Sequence, residues 1–198
     1  MALNRRRVRN YPGVTFSKLL GCGTGERFTP SDADPLRWGM LVVLDEDHVD
    51  AFDKSKVVLK WRENSHSEFR ALLSPISSHG QWSKREPFAA SAQSSDGAIV
   101  AITRARISLL GNLRFWKAVP EVTKSLHQSP GLISAIGIGE APIGLQGTFS
   151  VWESAQALRD FAYKGAAHSQ VIADTQKYQW YSEELFARFA VLELRGTL

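Results

Sequence analysis

Residues 136–139 of the chain, Ile-Gly-Ile-Gly, repeat the pattern of residues 20–23, Leu-Gly-Cys-Gly. In both places a loop containing proline follows, and then a strand that opens with glycine, Gly39 in the first copy and Gly147 in the second. An acidic helix start and a further alternating strand come next in each copy. We infer that the chain contains two copies of one structural unit.

The second copy, residues 98–198, is complete. Its first segment, residues 98–107, begins as an apolar run and then alternates apolar and polar side chains, which predicts a strand with one buried face. The following elements are expected to be a helix at residues 113–126 that Pro120 interrupts or starts, strands at residues 132–138 and 147–152, a helical region at residues 155–177, and a strand ending near Leu194. The order βαββαβ is that of a ferredoxin-like unit, so the sequence predicts an α+β fold of two ferredoxin-like halves with paired sheets.

The first copy, residues 13–82, is shorter. Its first strand, expected at residues 15–20, lies too close to the first residue to leave room for an opening strand and helix. Either the N terminus is truncated or this half of the sheet lacks a strand, and an uncovered edge or apolar face predicts a homo-oligomer. The polar stretch of residues 83–97 is the expected linker between the halves.

The positive charge of the chain is concentrated at one end. The chain has 24 Lys and Arg against 20 Asp and Glu, and subtracting the four arginines of residues 5–9 from 24 leaves 20 bases against 20 acids. The body is therefore neutral, and no nucleic-acid partner is expected. A basic arm at residues 1–12 can contact phosphate or an anionic membrane surface, but we expect it to be disordered and assign it no function.

Composition and motifs exclude several protein classes. Hydrophobic residues make up 43% of the chain, as in globular proteins, and no apolar run approaches the ~20 residues of a transmembrane segment. One cysteine and no export signal make the cytoplasm the expected location, with peripheral contact to the inner membrane left open. The five histidines are scattered without an i, i+4 pair, and residues 21–26, Gly-Cys-Gly-Thr-Gly-Glu, lack the helix that a dinucleotide fingerprint requires.

Six ordered sequence blocks extend from the end of the first copy to the last strand. They are Gly-Gln-Trp at residues 80–82 with Pro-Phe at 87–88, Ile-Thr-Arg-Ala at 102–105, Phe-Trp-Lys-Ala-Val-Pro at 115–120, Gly-Ile-Gly-Glu-Ala-Pro at 137–142, Thr-Phe-Ser-Val-Trp at 148–152, and the segment from Trp180 to Phe189. Together they resemble the spheroidene monooxygenase family, and the likeness extends from about Gly13 to the C terminus.

The resemblance implies a dimeric α/β-barrel type fold and an O2-dependent carotenoid ketolase or hydroxylase. It also implies a haem (heme) iron and electrons from a ferredoxin-like donor. The chain departs from the family pattern at Ser17, where the family has tryptophan, and at both ends, where the family has an additional N-terminal strand and helix and a longer tail.

Oxygenation of an unactivated C–H bond needs a cofactor, because side chains lack that chemistry. His168 is the candidate iron ligand: with Leu158, Phe161 and Gly165 it recurs at three- and four-residue steps on an apolar helical stripe. Gly165 and the two alanines after it remove bulk that would keep a macrocycle from the backbone. A partly buried structural histidine beside a helix break at Gly165 explains the same pattern, and both interpretations stay open.

Other side chains are candidates for contact with the cofactor or substrate. Trp116 and Tyr163, with Phe115, Trp152, Trp180 and Tyr181, either line an apolar cleft or belong to the core. Cations suited to haem propionates are Arg104, Arg114 and Lys117. For Arg104 and Arg106, a structural ion pair with Glu183 or Glu184 is the favoured interpretation.

The expected function is therefore a haem-dependent monooxygenase that acts on a hydrophobic, carotenoid-type small molecule. A noncatalytic protein of the same fold that binds haem or a hydrophobic ligand is the alternative. A cofactor-free oxygenase is a third hypothesis, which no pairing of a base with a nucleophile in the sequence supports.

Overall fold

The computed structural model describes residues 2–90, 96–107, 112–140, 147–164 and 181–198. Strands and α-helices alternate irregularly along the chain, in the order α1 (Ala2–Arg9), β1 (Val14–Gly23), β2 (Ala33–Leu44), α2 (Val49–Asp53), α3 (Lys56–Glu63), β3 (Phe69–Gly80), β4 (Ile99–Ile107), α4 (Asn112–His127), β5 (Leu132–Gly139), β6 (Gly147–Trp152), α5 (Ala155–Lys164) and β7 (Tyr181–Gly196). The fold is α+β, as the sequence predicts.

The seven strands form one sheet in the order β2-β1-β5-β6-β4-β7-β3, with antiparallel neighbours throughout. The sheet is strongly curled. Phe69 on β3 and Phe149 on β6 are three strands apart, which is about 14 Å in a flat sheet, yet their ring centroids are 6.1 Å apart. Side chains from all seven strands consequently share one core on the inner face of the curl.

Helices cover two parts of the outer face. Val8 of α1, Phe52 of α2 and Val58 of α3 pack against outward-facing residues of β1 and β2. Leu126 of α4 and Leu158 of α5 pack in a second outer cluster that includes residues of β4 and β6. The sheet thus separates an inner apolar core from two helical layers.

The two copies of the glycine repeat lie next to each other. Gly21 pairs with Gly139 and Cys22 with Ile138, where β1 runs antiparallel to β5. The repeat found in the sequence is therefore also a contact in the fold.

The predicted strands of the second copy are confirmed to within a few residues. Pro120 differs from expectation, because it lies inside a continuous α4 and neither starts nor breaks that helix. Its ring is exposed, and a proline in this position costs the helix one backbone hydrogen bond without ending it. Of the helical region expected at residues 155–177, α5 ends at Lys164 and the remainder lies outside the described residues.

The N-terminal arm also differs from expectation. Residues 2–9 form α1, and Val8 is 0% exposed because it packs on Phe52 and Val58. The stretch expected as a polar linker contains Phe88, which is buried in the inner core against Phe16 and Phe189. Both segments are anchored by an apolar side chain that sequence composition alone does not reveal.

Candidate functional site

Two strands each place a cation inside the curled sheet. On β1, Lys18 lies between the buried residues Phe16 and Leu20, and the two-residue period of a strand puts all three on one face. On β4, Arg104 follows the inward residue Ile102 in the same way. Lys18 is 8% exposed and Arg104 is 2% exposed, so both charges require partners.

Two carboxylates come from the neighbouring strand ends. Glu140 directly follows β5, in step with the inward residue Ile138, and Glu183 lies on β7 two residues before the buried Leu185. With Trp82, which follows β3, these side chains form what we call the interior charge cluster, consisting of Lys18, Trp82, Arg104, Glu140 and Glu183.

Glu140 is the centre of the cluster. Its Oε2 is 2.6 Å from Lys18 Nζ, and its Oε1 accepts hydrogen bonds from Trp82 Nε1 at 2.8 Å and from Arg104 Nη2 at 3.2 Å. The Lys18 ammonium also donates to Ser83 Oγ. One carboxylate thereby connects β1, β4, β5 and the turn after β3.

Glu183 is held by Arg104 and by a strained turn. Arg104 Nη1 donates to Glu183 Oε1, and the backbone N–H groups of Ser83 and Lys84 donate to the same carboxylate at 3.0 and 2.7 Å. Ser83 and Lys84 have φ values of 56° and 59°, a conformation that non-glycine residues adopt rarely. Two successive N–H groups in such a turn form a concave anion site, so the strained backbone serves to bind Glu183.

Both carboxylates remain ionised. Burial by itself raises the pKa of Glu140, but hydrogen bonds from Lys18 and Trp82 and the positive charges of Lys18 and Arg104 outweigh it and hold that pKa below its ordinary value. Burial likewise raises the pKa of Glu183, and the Lys84 N–H, Arg104 and the Ser83 N–H together lower it below the ordinary value. Two cations therefore face two anions, and neither carboxylate is a general acid or base near neutral pH.

Aromatic rings surround the cations. The Arg104 guanidinium lies 5.4 Å from the Trp82 ring centroid, and Lys18 Nζ lies 5.6 Å from the Phe16 ring and 5.8 Å from the Trp82 ring. Trp82 is 1% exposed and packs edge-on against Phe16. These contacts shield the two cations from water, while Glu140 remains partly exposed, so loss of a cation's partner is costly.

Arg104 is the predicted site residue that the structure describes fully. It makes the predicted ion pair with Glu183 and a second ion pair with Glu140, so both of its Nη nitrogens contact carboxylates. Trp116 and Lys117 lie on α4 and Tyr163 lies on α5, but their side chains are outside the described part of the structure. His168 and Gly165 lie outside the described residues altogether.

None of the described histidines belongs to the inner core. His48, His66, His79 and His127 all lie outside it, and the described residues contain no group of three metal-binding side chains. The single cysteine, Cys22, is buried, and burial raises its pKa to about 11, so it is a thiol rather than a thiolate.

Lys18 was not predicted as a site residue, and Glu140 was predicted only as a member of a family-like block. The signal for Lys18 was its position two residues from apolar side chains on either side in an alternating strand, which places its charge on the buried face. Trp152, a candidate cleft residue, is fully buried and donates its Nε1 hydrogen to Ser150, so it belongs to the core.

Four of the six sequence blocks meet at the interior charge cluster. Trp82, Arg104, Glu140 and Glu183 each come from a different block, and the blocks are separated by up to about half the chain. The folded chain therefore collects in one place the residues on which the family resemblance rests.

Three curated relatives match nearly the whole chain. The spheroidene monooxygenase of Rhodobacter capsulatus is 34% identical over 202 residues, covering 100% of this chain and 83% of its own length. The enzymes of the same name from Rubrivivax gelatinosus and Cereibacter sphaeroides are 34% and 31% identical, over 93% and 99% of this chain and 72% and 61% of their own lengths. No family model matches the chain.

Solved structures show a weaker likeness. A crystal structure of a protein from Fusobacterium nucleatum aligns over 93% of this chain and 79% of its own length, with a TM-score of 0.48 and 11% identity. One from Lactobacillus acidophilus aligns over 98% and 87%, with a TM-score of 0.44 and 12% identity. Since both scores are below 0.5, the assignment rests on the sequence relatives.

The chain has an α+β fold in which an antiparallel sheet curls around a buried, charge-paired cluster. It shares a third of its residues with named monooxygenases and is itself a monooxygenase. The chain belongs to the spheroidene monooxygenase family.

Proposed function

We propose that the protein catalyses O2-dependent oxygenation of a hydrophobic, carotenoid-type substrate. The identity of 34% over the full chain to a spheroidene monooxygenase carries the proposal. The meeting of four family-like blocks at the interior charge cluster supports it, because these residues hold the inner core in one arrangement.

We assign a positioning role to the interior charge cluster. Its carboxylates are ionised and saturated by Lys18, Arg104 and backbone N–H groups, so they are not available for proton transfer. They instead connect the strands that surround the apolar interior. Oxygen chemistry then has to come from a cofactor that the chain binds and orients.

We further propose haem as that cofactor, with His168 as iron ligand beside Gly165, and with Trp116, Tyr163 and Lys117 near the macrocycle. Haem supplies O2 activation when bound. Among the described residues Arg104 is paired with two carboxylates and Cys22 is protonated. The side chains proposed to hold haem lie outside the described part of the structure, so we derive no reaction step through haem. The proposal rests on the helical pattern around His168 in the sequence.

Titration with haem tests the ligand. A stoichiometric Soret band should develop and should be lost or shifted by His168→Ala, whereas the His48→Ala and His127→Ala controls should retain it. An unchanged Soret band in His168→Ala overturns the ligand assignment. Absence of any haem binding by the intact chain overturns the haem proposal.

The substrate proposal is tested with the purified full chain, spheroidene in detergent micelles, haem, a ferredoxin, its reductase and NADPH under 18O2. Mass spectrometry should show incorporation of an 18O atom into the carotenoid, and omission of the ferredoxin should abolish it if the electron donor is of that type. Spheroidene binding without 18O incorporation favours the noncatalytic ligand-binding alternative.

The finer architecture also belongs to this proposal. The strand order β5-β6-β4-β7 with the crossings through α4 and α5 supports a ferredoxin-like second half. If β1, β2 and β3 occupy the places of β5, β6 and β7, the described first half lacks a counterpart of β4, as expected for the shortened copy of residues 13–82. We propose that the two halves form a dimeric α/β-barrel type fold and that the protein is a homo-oligomer of the cytoplasm. No helix in the described part of the chain is long and apolar enough to cross a bilayer.

A further inference from the structure

The basic segment at the N terminus is a fixed surface. Helix α1 is held by Val8, which is fully buried against Phe52 and Val58. Arg5, Arg6, Arg7 and Arg9 are all exposed on the remaining sides of the helix. Because one apolar anchor sets the helix orientation, the four guanidinium groups project from a defined place on the protein.

A groove of about 620 Å³ lies between α1 and the start of α3. Its lining includes three cations, Arg6, Arg7 and Lys56, together with the polar side chains of Asn10 and Tyr11. No carboxylate lines the groove. Among the described residues, none of the three cations forms an ion pair. Concentrated positive charge with hydrogen-bond donors is suited to a phosphate group.

Further charged residues are exposed on the neighbouring elements. The cations are Arg5 and Arg9 of α1, Lys54 before α3 and Lys60 of α3, and the acids are Asp50 of α2 and Glu63 of α3. Leu59 follows Lys56 by three residues on α3 and is 45% exposed, so an apolar side chain projects beside the cations. The Asp45 backbone N–H donates to the Gly13 carbonyl, next to the groove-lining Pro12, but residues 45–47 do not line the groove.

We propose that this groove binds the phosphate of anionic phospholipids and that the α1–α3 surface docks the protein on an anionic bilayer. Cations around an exposed leucine match a bilayer interface, where headgroup phosphates lie next to acyl chains. A nucleic acid offers phosphates without an adjacent apolar layer, and the rest of this chain carries equal numbers of acids and bases, 20 of each after four arginines are subtracted from 24. The proposal does not depend on the cofactor or the substrate of the enzyme.

Vesicle co-sedimentation of the full chain tests the proposal. Vesicles of phosphatidylcholine with 30% phosphatidylglycerol should bind the protein, pure phosphatidylcholine vesicles should not, and binding should weaken as salt is raised. The triple variant Arg6→Gln/Arg7→Gln/Lys56→Gln should bind on the order of a hundredfold more weakly, because each basic residue near an anionic surface contributes about a fivefold gain. Leu59→Gln should weaken binding by the same factor at every salt concentration.

The matched control is Arg27→Gln/Lys124→Gln/Arg159→Gln, which removes the same charge from exposed positions elsewhere. Equal binding by the two triple variants overturns the groove assignment, provided that circular dichroism shows both to be folded.

If calorimetry shows inorganic phosphate binding in the groove while anionic vesicles are not bound, the ligand is a soluble phosphate and the bilayer proposal is wrong. Oxygenase activity is not a readout, so failure of this proposal is distinct from failure of the proposed function.

Discussion

Arg104 has the lowest exposure of the charged side chains that the structure describes, and it connects Glu140 to Glu183. We expect Arg104→Met to lower the free energy of unfolding by about 3 kcal/mol, near the low end for breaking a buried ion pair, because Glu140 is partly exposed. Chemical denaturation measures the loss. Arg104→Met/Glu183→Gln should recover part of it, since one unpaired carboxylate is then removed. A loss no larger than that of Arg195→Met, whose ion pair is exposed, would contradict the role of the cluster.

The carboxylates of the interior charge cluster also give stability a dependence on pH. The pKa values of Glu140 and Glu183 lie below the ordinary 4.5 in the folded chain and return to it on unfolding. Their stabilising contribution is therefore complete above pH about 4.5 and is lost as pH falls through the folded-state values. Denaturation midpoints measured between pH 7 and pH 3 should fall less steeply for Glu140→Gln than for the parent chain. Parallel profiles would show that Glu140 is not perturbed.

Cys22 should be inert in the folded protein. It is 4% exposed, its Sγ lies close to Gly39, and burial raises its pKa to about 11. We expect no reaction with a thiol-specific disulfide reagent at pH 8 until guanidinium unfolds the chain, and one equivalent afterwards. Rapid reaction in native buffer would show that β1 opens locally.

At the residue scale, the sequence predicted one of the buried ion pairs and missed another. The pairing of Arg104 with Glu183 follows from the need to compensate a charge in an apolar strand. The convergence of Lys18 and Glu140 does not, because residues 122 positions apart meet only after the sheet has formed.

At the scale of elements, the turn after β3 has a glycine and a lysine at positions that both require a positive φ. Gly80 has φ of 88°, and an added Cβ would collide with the Glu184 carbonyl, so Gly80→Ala should destabilise the protein. Lys84 occupies the left-handed region at φ of 59°, so Lys84→Gly should stabilise it by about 0.5–1 kcal/mol. Thermal unfolding of the two variants tests both signs. Destabilisation by Lys84→Gly would mean that the Lys84 side chain outweighs its backbone strain.

Strands β4, β5 and β6 were predictable because they are bounded by turns and rich in apolar residues. Strand β2 begins at Ala33, before the predicted start at Gly39, and both β2 and β3 extend through a proline, Pro35 and Pro75, a residue that normally indicates a loop. Both strands lie at the ends of the described sheet order, and an edge position tolerates a proline that a central strand does not. Edge position is a tertiary property and leaves no local signal.

At the scale of the whole molecule, β2 offers the surface for the proposed self-association. Leu36 is 90% exposed and Trp38 is 39% exposed on this strand. We expect sedimentation equilibrium to show an oligomer that Leu36→Lys/Trp38→Lys shifts toward monomer, because burying two apolar side chains no longer favours assembly. Ile133→Lys, at an exposed position on β5, is the control. A monomeric parent chain at high micromolar concentration would contradict the prediction.

The pairing of Gly21 with Gly139 and of Cys22 with Ile138 places the middle of one glycine repeat opposite the middle of the other. Equivalent residues meet in this way when two identical subunits associate across a two-fold axis. In the proposed arrangement of two halves, the covalent connection would replace a bimolecular encounter with an intramolecular one. Such an interface, held in one polypeptide, would not dissociate on dilution, and each half could change its sequence without losing its partner.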